Sequence, residues 1–147
     1  MSYLRLIGRI LIAALFLYSG YQKVSVPLEN FEEVLRAYEI FPEFSILFLS
    51  RFVPYAELGL GTFLLLGLLT RFAFLGALAF FGTFILVLGR ALILQIPIED
   101  CGCFGAKIHS PLFVTLGMDI GFFLLTLWLL FSKPTPFRID SLIFQKD

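Results

Sequence analysis

Apolar residues fall along this chain in long runs separated by short polar stretches, and the runs have helical length. The first, from about Leu6 to Tyr21, follows Arg5 and Arg9 and ends in Tyr-Ser-Gly-Tyr-Gln-Lys. No Ala-x-Ala-like cleavage site closes it, so it reads as an uncleaved anchor helix over 5–22. Between 27 and 41 the pattern changes. Leu28, Phe31, Val34, Leu35 and Tyr38 recur at helical spacing, with Glu29, Glu32, Glu33, Arg36 and Glu39 on the opposite face. A stretch this short and charged is expected to be an interfacial helix, lying in the headgroup boundary or covering the other helices. Three further apolar runs follow over 44–69, 72–95 and 111–131, the first two joined by a tight turn at Thr70-Arg71. Pro111 suits a first helical turn, and Pro134 and Pro136 lie beyond the last. Gly117 and Gly121 are four apart, a spacing that close helix packing in lipid favours. The predicted architecture is an all-α membrane protein: one domain, a bundle of four transmembrane helices with a short interfacial helix between the first two, and a loop over 96–110.

Composition strengthens the membrane reading. With 59% hydrophobic and 15% charged residues among 147, the apolar side chains exceed what one soluble domain of this size can shield. A spanning helix needs about 20 apolar residues, so four with short connections use up nearly the whole chain. Net charge is zero and no Lys/Arg run occurs, which argues against nucleic acid and anionic membrane surfaces as partners. Charge placement sets an expected orientation. Arg5, Arg9, Arg71, Lys133, Arg138 and Lys146 fall on one side, against Lys23, Arg36 and Lys107 on the other. By the positive-inside rule both termini are cytoplasmic and the 96–110 loop extracytoplasmic.

That loop holds both cysteines of the chain, Cys101 and Cys103, within Asp-Cys-Gly-Cys-Phe-Gly. Residues two apart have α-carbons at most about 7 Å apart, and a disulfide needs roughly 4.4 to 6.8 Å, so a bridge can close if the chain bends at Gly102. Such a small loop gains almost no stability from the bond, whereas a strained, exposed disulfide is oxidising and reactive. Redox exchange is therefore the leading reading of the pair. A soft-metal site built from Cys101, Cys103 and His109 with Asp100 or Glu99 is the alternative, and a purely structural bond the third.

Four charges, Arg51, Glu57, Arg90 and Asp119, fall within the predicted spans, where an ionised group costs at least about 2.5 kcal/mol unless paired or hydrated. Counted from the outer helix ends at about 1.5 Å per residue, Arg51, Arg90 and Asp119 lie roughly 8 to 12 Å deep and Glu57 roughly 20 Å. With Tyr18, Ser19, Tyr21, Gln22 and Lys23 at the outer end of the first helix, they describe a polar chamber opening toward the cysteine side. Ion pairs that lock the helices together are one expectation. The sharper one is that Arg51 and Arg90 stabilise a cysteine thiolate or polarise the carbonyl of a bound quinone, with Glu57 as proton carrier. Asp119, Tyr55, Gln22 and Lys23 complete the candidate cofactor-binding set, and a quinone is the candidate cofactor.

Three motifs carry a family resemblance: Ser19-Gly20-Tyr21-Gln22-Lys23, Pro54-Tyr55-Ala56-Glu57-Leu58-Gly59 with the later Thr70-Arg71, and Asp100-Cys101-Gly102-Cys103-Phe104-Gly105. Together they resemble the DoxX/MauE family of redox-associated membrane proteins, the cysteine motif pointing to the MauE branch. The resemblance implies a four-helix inner-membrane protein working with an extracytoplasmic thioredoxin-like partner in forming or exchanging disulfides. It further implies Cys101 and Cys103 as the exchanging pair. Quinone-coupled disulfide enzymes use two cysteine pairs and this chain has one, so a direct electron path to quinone and a relay or docking role both stand. The non-enzymatic alternative is a binding or assembly protein, for a soft metal at the loop or a lipid-like ligand in the chamber.

Overall fold

The structure, a computed structural model, describes residues 2–96 and 111–132. They form five helices, α1 (Ser2–Ser25), α2 (Leu28–Ala37), α3 (Glu43–Leu66), α4 (Thr70–Ile93) and α5 (Leu112–Phe131), and no strand. Three of them, over Tyr3–Ser25, Thr70–Ile93 and Leu112–Phe131, are long and apolar enough to cross a membrane. α3, the second of the four spans expected from sequence, is as long as α4 but is not among the three, being diluted by Glu43, Arg51, Pro54 and Glu57. Cys101, Cys103, Glu99, Asp100, Lys107 and His109 lie outside the described residues, as do Lys133, Pro134, Pro136, Arg138 and Lys146.

The long helices pack mainly as two pairs, α1 along α3 and α4 along α5. Glycine lets α1 and α3 approach closely. A Cβ on Gly20 would stand 2.9 Å from the Pro54 carbonyl oxygen, and one on Gly61 would stand 2.7 Å from Leu17 Cγ and 3.0 Å from the Ala13 carbonyl oxygen. Small residues at such crossings replace the hydrophobic drive that lipid does not supply. The turn between α3 and α4 falls at Gly67–Leu69, earlier than the predicted Thr70-Arg71. Gly67 takes the left-handed conformation (φ 68°) and its N–H donates to the Phe63 carbonyl, ending α3 there.

The two pairs meet around Ile12, Ala13 and Phe16 of α1, Leu64 of α3, Phe74, Ala77 and Phe81 of α4, and Leu129 of α5. At the other end α2 lies over α3, burying Phe31 and Leu35 against Ile46. Tyr38, just past α2, packs with Leu88, Ala91, Ile96, Leu112 and Leu116. Polar bonds fix α2 as well. Ser50 Oγ donates to Glu32 Oε1 at 3.2 Å, Arg36 pairs with Glu43 at 2.6 Å, and Arg90 donates to the Tyr38 carbonyl at 3.1 Å.

Candidate functional site

Helix phase decides which charges meet. The buried positions of α3 are Ile46, Ser50, Pro54, Glu57, Gly61 and Leu64, a stripe spaced three to four apart that turns Glu57 inward. Ser19 and Lys23, one turn apart on α1, reach it. Lys23 Nζ donates to both Glu57 oxygens at 2.9 Å and to Ser19 Oγ at 2.6 Å, and Ser19 Oγ donates to Glu57 Oε2 at 3.2 Å. Lys23 and Glu57 are each 1% exposed, so neither charge has water to fall back on. Removing both from solvent costs several kcal/mol per ion, and only mutual attraction with further hydrogen bonds offsets it. Aromatic rings add to the offset. Phe31 of α2 and Phe84 of α4 lie 5.6 and 5.8 Å from Nζ, within cation–π range.

Asp119 of α5, also buried, lines a cavity of about 20 Å³ together with Ser19, Glu57, Phe16, Phe81 and Phe84. That is room for about one water molecule beside two carboxyl groups and a hydroxyl. The cluster therefore gathers residues from α1, α3 and α5 under rings from α2 and α4. It is suited to holding and passing a proton, since it combines a fixed cation, two carboxyls and a hydroxyl out of bulk water.

Of the residues singled out from sequence, Lys23, Glu57 and Asp119 come together here. Arg51 and Arg90 do not. Arg51 precedes Glu57 by six residues, which at about 100° per residue puts it on another face of α3, where it is exposed beside Tyr55. Arg90 is held by the Tyr38 carbonyl near the end of α4. Gln22 is half-buried, next to Lys23 in α1. The expected chamber of two arginines and two carboxylates is thus a lysine-centred cluster, because the arginines sit at the wrong phase. The sequence puts Ser19 at the polar end of α1 and Phe31 on the apolar face of α2 without marking either as a site residue, and it gives no signal for Phe84. The usable signal was that Ser19 and Lys23 stand four apart in one motif and Glu57 is the single charge in another.

A second cavity, of about 250 Å³, lies between α2, α3 and α4, bounded by Phe31, Tyr38, Phe52, Val53, Phe80 and Phe84 among others. Its walls are almost entirely apolar. Phe31 and Phe84 are shared, so one pair of rings separates this space from the Lys23 ammonium. The loop bearing Cys101 and Cys103 leaves from Ile96 and returns at Pro111, and Ile96 and Leu112 pack in the same cluster as Tyr38. Both loop ends therefore stand beside α2, at the end of the molecule that holds the cluster.

Residues 1–132 match the family model described as methylamine utilisation protein MauE. Among curated proteins and solved structures nothing matches.

Proposed function

The chain belongs to the MauE family of membrane proteins, and from that premise we propose that it is a redox accessory that exchanges disulfides through Cys101 and Cys103. In this reading α3 is a fourth span. It has the 24-residue length of α4, and its deepest charge, Glu57, is neutralised by Lys23. The protein sits in the inner membrane with both termini cytoplasmic and the cysteine loop outside, facing a thioredoxin-like partner.

The exchange balances as follows. A partner thiolate attacks one sulfur of the Cys101–Cys103 disulfide and the other cysteine leaves as thiolate. The partner's second thiolate then resolves the mixed disulfide, so the partner departs oxidised and this chain holds two thiols. A quinone is the proposed acceptor, and when bound it would take up two electrons and two protons, becoming quinol. The 250 Å³ cavity fits such a ring, since an apolar cavity of about 150 Å³ already takes benzene. Phe31, Phe52, Phe80 and Phe84 would hold it, and Arg51 and Arg90 do not line that space.

The observation that carries the proposal is the placement of the loop's two ends beside α2, at the end of the bundle that holds the buried Lys23, Glu57 and Asp119 cluster and an apolar cavity of about 250 Å³. The test is a thiol redox titration of purified protein in lipid. Cys101 and Cys103 are followed by alkylation mass shift against set glutathione or dithiothreitol ratios, with and without a quinone analogue. A reversible two-electron transition hastened by the analogue is expected. A pair that stays reduced at every ratio, or is protected only after a soft metal is added, overturns it in favour of a binding or docking role.

A further inference from the structure

We infer that the outer face of α3 around Arg51 is a binding site for a membrane phospholipid, with the guanidinium on the lipid phosphodiester. The inference rests on α3 being a span. Phe44, Leu47, Phe48, Arg51, Phe52 and Tyr55 form one open face of α3, with about 520 Å³ of shallow space against it. These side chains are exposed, Phe44 at 82%, Tyr55 at 66% and Phe48 at 63%, so the face points away from the other helices. Among the described residues no carboxylate pairs with Arg51. A charge on the lipid side of a span needs an anion or water within reach.

Depth selects which anion. Arg51 is eight residues into α3, about 12 Å from its start, and the 24-residue helix is about 36 Å long against a hydrocarbon core of about 30 Å. With the excess shared between the two ends, the Arg51 backbone sits about 9 Å below the headgroup boundary, in the leaflet next to the start of α3. Side chains tilt toward the N-terminus of their helix, here toward the headgroups, and a long arginine can extend its charge upward along that line. The phosphate of a lipid in the same leaflet meets it there and offers the two oxygens a guanidinium binds as a fork. A partner helix would need a buried carboxylate at the same depth, whereas every phospholipid brings its anion to that level. Below Arg51, Phe52 and Tyr55 give the acyl chain an aromatic surface, and Phe48 stacks on Phe52 with ring centroids 5.3 Å apart.

Native mass spectrometry in detergent tests this with phosphatidylethanolamine, phosphatidylglycerol and, as a phosphate-free probe, diacylglycerol of the same chains. Wild type is expected to retain both phospholipids and to bind diacylglycerol at least about tenfold more weakly, the scale of one charge-assisted fork. Arg51→Gln should lose about tenfold for the phospholipids, Arg51→Lys should fall between, and Arg71→Gln at the other end of the bundle should match wild type. Phospholipid binding by Arg51→Gln within about twofold of wild type overturns the proposal, as does equal retention of diacylglycerol. A lipid-free dimer that Arg51→Gln dissociates also overturns it, making this face of α3 an interface between copies. In a Cys101→Ser, Cys103→Ser background, Ser45→Cys and Leu68→Cys labelled from opposite sides of vesicles establish independently whether α3 crosses. Labelling of both from one side removes the premise, while opposite-side labelling leaves the lipid result to decide the site.

Discussion

Neutralising one member of the Lys23–Glu57 pair leaves the other buried with its charge. Glu57→Gln keeps the shape of the side chain and one carbonyl acceptor, but it removes the negative charge and puts an NH2 donor in place of one of the two oxygens that accept from Lys23 at 2.9 Å. The ammonium, 1% exposed, keeps Ser19 and two aromatic rings. Breaking a buried pair from one side costs about 3–5 kcal/mol, or roughly 6 to 20 °C in melting temperature for a chain of this size. If the pair acted as an ordinary hydrogen bond between membrane helices, the loss would be about 0.6 kcal/mol, so the two cases separate cleanly. Replacing both, as Lys23→Met with Glu57→Leu, removes charge and desolvation together and should leave stability unchanged or raised by about 1–4 kcal/mol. Ser19 can then turn its hydroxyl to a carbonyl of its own helix. Thermal melts of wild type, Glu57→Gln, the singles Lys23→Met and Glu57→Leu, and the double variant in one detergent, followed by helical circular dichroism, make the comparison. Single variants within about 1 kcal/mol of wild type, or a double variant as unstable as the two singles summed, would refute the reasoning.

Gly20→Ala and Gly61→Ala should each cost about 1–3 kcal/mol, since each Cβ meets a backbone carbonyl at 3.0 Å or less, whereas Gly59→Ala, which meets nothing within 4 Å, should be neutral or gain about 0.5–1 kcal/mol in the same melts. Leu69 is exposed and held at φ 44°, a conformation that costs a leucine about 1–2 kcal/mol and glycine little. Leu69→Gly should therefore raise stability by roughly 0.5–1 kcal/mol after glycine's extra chain entropy, again read by melting. Arg90→Ala removes the bond to the Tyr38 carbonyl, worth about 1.5–3 kcal/mol with a charged donor, and should speed amide exchange over Leu28–Tyr38 by about tenfold or more without a like change in α5.

The helices were legible because each leaves a pattern on the chain: apolar runs for α1, α4 and α5, and for α2 an apolar stripe at 31, 35 and 38 opposite its glutamates. Which charges would meet was legible only in part. Glu57 and Asp119 could be placed inside the spans by counting residues, but their faces depend on how each helix is rotated, which an apolar run does not encode. Arg51 shows the difficulty. It is closer to the predicted chamber than Glu57 by depth and lies outside the cluster by phase. Lys23 shows the converse, since a lysine at the end of an apolar run reads as a flanking charge, and Arg9, counted in the same way, is 2% exposed. Both are buried because other helices pack over them, and those contacts are remote in sequence.

A lysine and a glutamate can be enclosed together only where something covers them, and the cover consists of α2 and α4. Phe31 lies over Lys23 from α2, whose far end is tied through the Tyr38 carbonyl to Arg90, six residues before the cysteine loop departs at Ile96. Contacts therefore run without a break from the base of the loop, across Arg90 and α2, to the ammonium and its carboxylate. Phe31 and Phe84 also separate the pair from the 250 Å³ cavity, so a shift of α2 would change the enclosure of the ions and the shape of that cavity together. The half around Ile12, Phe74 and Leu129 meets mostly on apolar side chains and close glycine contacts, with Arg9 as its buried charge. The buried carboxylates Glu57 and Asp119 thus lie at the loop end, with the short amphipathic helix among their cover.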